Sequence, residues 1–177
     1  AALAMRIRCE SMRDIGAAMT PHNAFLLLQG LETLSLRMQQ HVSNAQAMVT
    51  WLQQQEAVAW VNHPDIDADT HTKTLFPKGA GSMLTFGVKG GRDAGAAFIN
   101  ALQLSSNLAN VGDSRTLVLH PGSTTHSRLS ETDLVAAGIS ADLIRVSVGI
   151  ETLKDIQADF SLGLRAAAKI VANQVEA

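Results

Sequence analysis

The sequence predicts an α+β fold, a small and mostly antiparallel sheet covered by helices. Three observations carry this. Apolar residues recur at steps of three and four across residues 31–52, the period of a helix that buries one stripe. Short apolar runs read as strands: "AVAWV" (57–61), "SMLTFGV" (82–88), "TLVL" (116–119) and "LIRVSVGI" (143–150). Helices and strands then mix without a regular βαβ repeat.

Each element has its own local reason. "AALAMRIRCESMRDIG" is helix-like and reads as if entered in mid-helix, so the chain is expected to be a piece of something longer. Thr20-Pro21 starts the next helix, with Thr as N-cap and Pro where a missing N–H costs nothing. Its expected buried stripe is Leu31, Leu34, Met38, Val42, Ala45, Val49 and Leu52. "NHPD" turns the chain after the first strand. In the second strand Leu84, Phe86 and Val88 share a face, and Gly90-Gly91 breaks it. Ala94, Ala97, Phe98 and Ala101 repeat at helical spacing. Ser130-x-x-Asp133 has the form of a capping box, and Gly138 fits the end of the helix it opens. Thr152 is placed to cap a last helix running to about Val171.

Composition narrows the function classes. The chain has 177 residues, 46% hydrophobic and 17% charged, which fits a globular domain with a real core. Fourteen Lys and Arg against 16 Asp and Glu leave a net charge of −2, with no basic run. Neither nucleic acid nor an anionic membrane is an expected partner. No apolar run approaches the roughly 20 residues of a membrane span. Cys9 is the single cysteine, so no intrachain disulfide forms, and a reducing, cytoplasmic setting is expected.

Several motifs resemble chemistry and fail on detail. "DIDAD" (65–69) has calcium-loop spacing, but Thr70 stands where that loop needs Gly and Phe76 where it needs Glu. It reads as an acidic surface loop. The six histidines lack zinc-ligand spacing, so no metal is expected. "KGAGSMLTFG" lacks the third glycine of a dinucleotide fingerprint. Ser123, in "GSTT", is not on a nucleophile elbow.

Arg145 is different. On "LIRVSVGI", Ile144, Val146 and Val148 share one face, and Leu143, Arg145 and Ser147 the other. A guanidinium among apolar residues needs an anionic partner. Either it makes an edge or surface salt bridge, or its fork clamps a ligand carboxylate. Ser147 and Gly149 are small and leave room for an approach.

The segment "HPGSTTHSRLSETDLVAAGISADLIRVSVGIE" (120–151) resembles the closing segment of the pyridoxal-phosphate-dependent enzymes of cysteine and methionine metabolism. "NAFLLLQGLETLSLRM" (23–38), "PKGAGSMLTFGVKGGR" (77–92) and "LANVGDSRTLVLHPGSTTH" (108–126) are similar to the O-acetylhomoserine sulfhydrylase branch. Gln29, Asn110 and "STTH" carry the branch assignment. The likeness runs from about Leu3 to Lys169.

That resemblance implies two parts: residues 1–55 as connecting helices from a cofactor domain, and residues 56–177 as the C-terminal α+β domain. The implied reaction replaces the acetoxy group of O-acetyl-L-homoserine with sulfide, giving homocysteine and acetate, with pyridoxal phosphate as electron sink. By the same resemblance, Arg145 falls on the family's substrate-carboxylate arginine, Asn110 on a polar position assisting it, and Thr125 on a turn shaping the pocket. The bland alternatives are a turn residue for Asn110 and a hydroxyl satisfying local backbone for Thr125. The family's cofactor-linked lysine lies in an "S-x-T-K" segment that this sequence does not contain, and "THTKTLFP" places Lys73 on the surface. The chain alone is therefore expected to be inactive, with no catalytic or cofactor-binding residue of its own. The implied substrate is a small amino acid and the implied parent a homotetramer. The competing functions are a cystathionine or methionine lyase or synthase of the same family, and a non-catalytic amino-acid-binding module.

Overall fold

Thr20 and Pro21 open a helix as their chemistry dictates. The Thr20 side chain accepts the Asn23 N–H at 3.2 Å, and Pro21 is the first residue of α2 (Pro21–Glu32). The structure is a computed structural model that describes residues 2–175. Two compact units are distinguished, Ala1–Leu36 and Arg37–Ala177. In the first, α1 (Ala2–Arg6) passes into a π-helical turn, Ile7–Met12, which leaves Cys9 exposed. No residue of α2 is buried, and Phe25, Leu26, Leu27, Leu28 and Leu31 are all exposed.

The expected single helix through residue 52 is two. At Thr33 the backbone leaves helical geometry (φ −105°, ψ 5°), and α3 (Leu34–Gln53) begins anew. Gly30 and β-branched Thr33 are both weak helix formers, which makes this the natural place to break. The buried stripe of α3 is His41, Asn44, Ala45, Met48, Val49 and Leu52. Leu31 and Leu34 do not belong to it, being 57% and 39% exposed.

Five strands form the sheet of the second unit: β1 (Val58–Asn62), β2 (Met83–Val88), β3 (Ser106–Asn107), β4 (Leu117–Leu119) and β5 (Leu143–Ser147). Their order is β1-β2-β5-β4-β3. All pairs are antiparallel except β3 with β4. The helices of this unit, besides α3, are α4 (Thr70–Leu75), α5 (Gly91–Ala101), α6 (Glu131–Ala136) and α7 (Leu153–Val175). Sequence patterning does not find β3 or α4. β3 is two residues, Ser-Asn, held by pairing Ser106 with Leu117 and Asn107 with Val118. α4 is a short run rich in Thr, opened by Asp69, whose carboxylate accepts Thr72 N–H at 2.7 Å. The capping serine at position 130 is found as expected, accepting Asp133 N–H at 3.2 Å. α7 runs four residues past its expected end.

The core lies on one face of the sheet. Leu84, Phe86 and Val88 of β2 meet Ile144 and Val146 of β5, with Val148 just beyond it. α3 adds Met48 and Leu52, and α5 and α7 add Phe98, Ile156 and Phe160. Phe98 stands edge-on to both Phe86 and Phe160, with ring centres 5.4 Å apart in each pair. This packing fixes β5 as the central strand, and it turns alternate residues of β5 to the opposite face.

Candidate functional site

Arg145 is on that opposite face. Its register partners are Thr85 on β2 and Leu119 on β4. β5 is not an edge strand, and among the described residues no carboxylate pairs with Arg145. Arg145 as a residue is half-buried, but its guanidinium end makes an exposed contact: Nη2 donates to the main-chain carbonyl of Asn110 at 3.4 Å, a long bond to a neutral acceptor. Two residues along the same face, Ser147 is fully buried, and its hydroxyl has no partner among the described residues.

Asn110 sits in the exposed loop between β3 and β4. Its side-chain oxygen accepts the Val111 N–H at 2.9 Å, which fixes the amide and leaves its nitrogen as the donor end. The fold therefore brings Arg145 and Asn110 together, through the Asn110 carbonyl. Thr125 is not joined to them by any bond among the described residues. It follows a 3₁₀ turn, Pro121–Ser123, and its hydroxyl meets His126 Nδ1 at 2.8 Å.

Pattern reading of the sequence missed a buried polar cluster where β5 ends. His41 faces the Val148 carbonyl with Nδ1 at 2.7 Å, so Nδ1 is the donor. Asn44 donates to the carbonyls of Gly149 (3.1 Å) and Glu151 (2.9 Å). The Glu151 carboxylate accepts the Thr116 N–H at 2.6 Å and the Thr116 hydroxyl at 2.8 Å. Thr116 Oγ1 in turn accepts the Gly149 N–H at 3.0 Å. One signal was available: two polar residues, His41 and Asn44, interrupt an apolar helical stripe. At the other end of β4, His120 is fully buried, with Nε2 donating to the Ala141 carbonyl at 2.9 Å and Nδ1 taking the Ser123 hydroxyl at 2.8 Å.

The electrostatics outside this cluster are structural. Burial pushes the Asp159 carboxyl up, but the Gln103, Leu104 and Ser105 N–H groups pull it down further, and it ends below its ordinary value. Asp113 is lowered by the Arg115 N–H and side chain. In the "DIDAD" segment, Asp65 accepts from Gln46 (2.8 Å) and from the Ala80 N–H (3.1 Å), so it serves local folding.

A covalently held cofactor needs an enclosed amine. Lys73, Lys78, Lys89, Lys154 and Lys169 are all exposed. The residues of this chain do not by themselves fit pyridoxal phosphate. Among the described residues, no three His, Cys, Asp or Glu side chains converge to hold a metal. Among them, too, no helix is long and apolar enough to cross a membrane.

Comparison with known proteins supplies what geometry alone does not. The family model for Cys/Met metabolism PLP-dependent enzymes matches residues 3–165. A homocysteine synthase of Schizosaccharomyces pombe is 46% identical over 169 residues, covering 94% of this chain and 39% of that protein. O-acetyl-L-homoserine sulfhydrylase 1 of Thermus thermophilus is 44% identical over 166 residues, 92% of this chain and 39% of its own length. A solved Campylobacter jejuni structure, assigned as an O-acetylhomoserine (thiol)-lyase and carrying a pyridoxyl-lysine monophosphate, superposes with a TM-score of 0.79 at 37% identity. That match covers 93% of this chain and 40% of the other. The chain thus spans about two-fifths of the length of the relatives it matches. Matched over most of its residues in both sequence and fold, it belongs to the pyridoxal-phosphate-dependent enzymes of cysteine and methionine metabolism.

Proposed function

We propose that this chain is the C-terminal part of an O-acetyl-L-homoserine sulfhydrylase, a cytoplasmic homotetramer that makes homocysteine and acetate from O-acetylhomoserine and sulfide. In that enzyme pyridoxal phosphate supplies the electron sink, and residues upstream of this chain hold it. The part played here is recognition. Arg145 grips the substrate α-carboxylate, the Asn110 amide assists it, and Thr125 shapes the neighbouring turn. The observation that carries this reading is an arginine on the central strand with no carboxylate partner among the described residues and, at its exposed guanidinium end, one long bond to a neutral carbonyl. A fork of five donors, held on the central strand and engaged only by one neutral acceptor, is free to grip an anion.

The test is Arg145→Ala in the full-length enzyme. Truncating one member of a partly desolvated ion pair costs on the order of 2–5 kcal/mol. The expected loss in kcat/KM is therefore roughly 30- to several-thousand-fold. Arg145→Lys should recover only part, because a point charge lacks the two-pronged geometry. The cofactor absorbance should persist in both. Near-normal kcat/KM with a lowered melting temperature would make Arg145 a stability residue instead.

This reading also makes the isolated chain inactive. Incubated with pyridoxal phosphate and reduced with borohydride, it should show only weak, scattered lysine labelling. One stoichiometric label on a single lysine would contradict it.

A further inference from the structure

We infer that Glu151 is a positioning residue for substrate binding, acting through Arg145 and the loop that carries Asn110. The inference rests on the carboxylate-clamp reading of Arg145 and deepens it. Just beyond the end of β5, the chain passes through Val148–Glu151, where most main-chain polar groups are held. Val148 N–H goes to Ser82 O at 2.9 Å and Ile150 N–H to Ser114 O at 2.9 Å. His41 takes the Val148 carbonyl, and Asn44 takes those of Gly149 and Glu151. The Glu151 side chain then folds back onto Thr116, which is fully buried, with one oxygen on its N–H and the other on its hydroxyl.

Thr116 is a junction. Behind it lies the loop with Asn110, whose end is tied to the same segment through Ser114. Ahead of it lies β4, which pairs with β5 at Leu117–Ser147 and Leu119–Arg145. Glu151 therefore joins the start of β4 to the exit of β5, and so fixes the Asn110 loop relative to Arg145. No slack exists at the crossing. A Cβ on Gly149 would lie 2.5 Å from both the Arg115 carbonyl carbon and Thr116 N.

The chemistry requires a carboxylate. Thr116 presents two donors, N–H and O–H, and its oxygen is already accepting from Gly149. Two acceptor oxygens satisfy both. Glutamine offers one oxygen and one NH₂, so the Thr116 hydroxyl proton loses its acceptor while the shape is unchanged. Glu151→Gln thus loosens the junction without emptying it.

The experiment is a double-mutant cycle in the full-length holoenzyme, with KM for O-acetylhomoserine and kcat as separate readouts. Glu151→Gln is expected to raise KM about tenfold, with kcat changed less than about threefold and the cofactor absorbance unchanged. On the Arg145→Ala background the same substitution should change KM by less than about twofold, since the group it positions is gone. Thr116→Val, which keeps the shape and removes the hydroxyl, should reproduce the KM effect, and Thr116→Ser should return KM toward its starting value. If Glu151→Gln does not fold, the Thr116 pair carries the test alone. An equal KM increase with and without Arg145, or no increase, overturns the inference while leaving the clamp standing. Should Arg145→Ala itself keep normal kcat/KM, it is the clamp reading that fails.

Discussion

Asp159 is 4% exposed, and its carboxylate receives three backbone N–H groups from the turn after α5, at 2.7, 3.0 and 2.9 Å. Its folded pKa lies below the ordinary 3.8, so the native state favours the ionised form. The resulting stabilisation is fully present above the unfolded value and is lost as pH falls through the folded one. Asp159→Ala, which strands those donors, should cost about 2–3 kcal/mol near neutrality. The milder Asp159→Asn should narrow its gap to the parent chain as pH drops below about 4. Melting temperatures of both chains between about pH 7 and pH 3 check this, and a constant gap would show that ionisation plays no part. Arg145 was legible in the sequence for a physical reason: it is the one charge in an alternating apolar strand. That its near neighbour is the Asn110 carbonyl was not legible, because main-chain acceptors leave no trace in residue identity. Nor was the Thr116–Glu151 contact, which joins residues 35 apart through bonds any Thr and Glu could make.

At the scale of elements, α5 and α7 pack so closely that glycine stands where propensity would prefer alanine. A Cβ on Gly163 of α7 would lie 2.5 Å from Cδ2 and 2.6 Å from Cε2 of Phe98. Phe98 is fully buried between Phe86 and Phe160, so its ring has nowhere to move. Gly→Ala in a helix gains about 1 kcal/mol of propensity, while overpacking a filled core costs about 1–3. Gly163→Ala should therefore be net destabilising despite the better helix former, and a urea midpoint measures the sign. Amphipathic elements were readable because burial imposes their period. β2 and β5 alternate as the sequence predicts, with Leu84, Phe86, Ile144 and Val146 all inward. The elements that escaped, β3 and α4, bury no apolar face: one exists by pairing with β4 and the other by a cap on Asp69. The break at Thr33 escaped because the apolar spacing continues across it.

For the whole molecule, α2 sets the behaviour of the isolated chain. Phe25, Leu26, Leu27, Leu28 and Leu31 are each more than half exposed, a continuous apolar surface that water does not favour. Concentration-dependent self-association in analytical ultracentrifugation is expected, together with binding of a hydrophobic dye. A monomer that binds no dye at high concentration would count against it. The sheet limits what form that association takes. At one margin stands β3, two residues long; at the other stands β1, whose register slips between Val58 and Trp60. Short or irregular borders give an incoming strand little ladder to extend. Aggregates of this chain should accordingly grow through helical contacts and stay dark to amyloid dyes, keeping their native circular dichroism as they form.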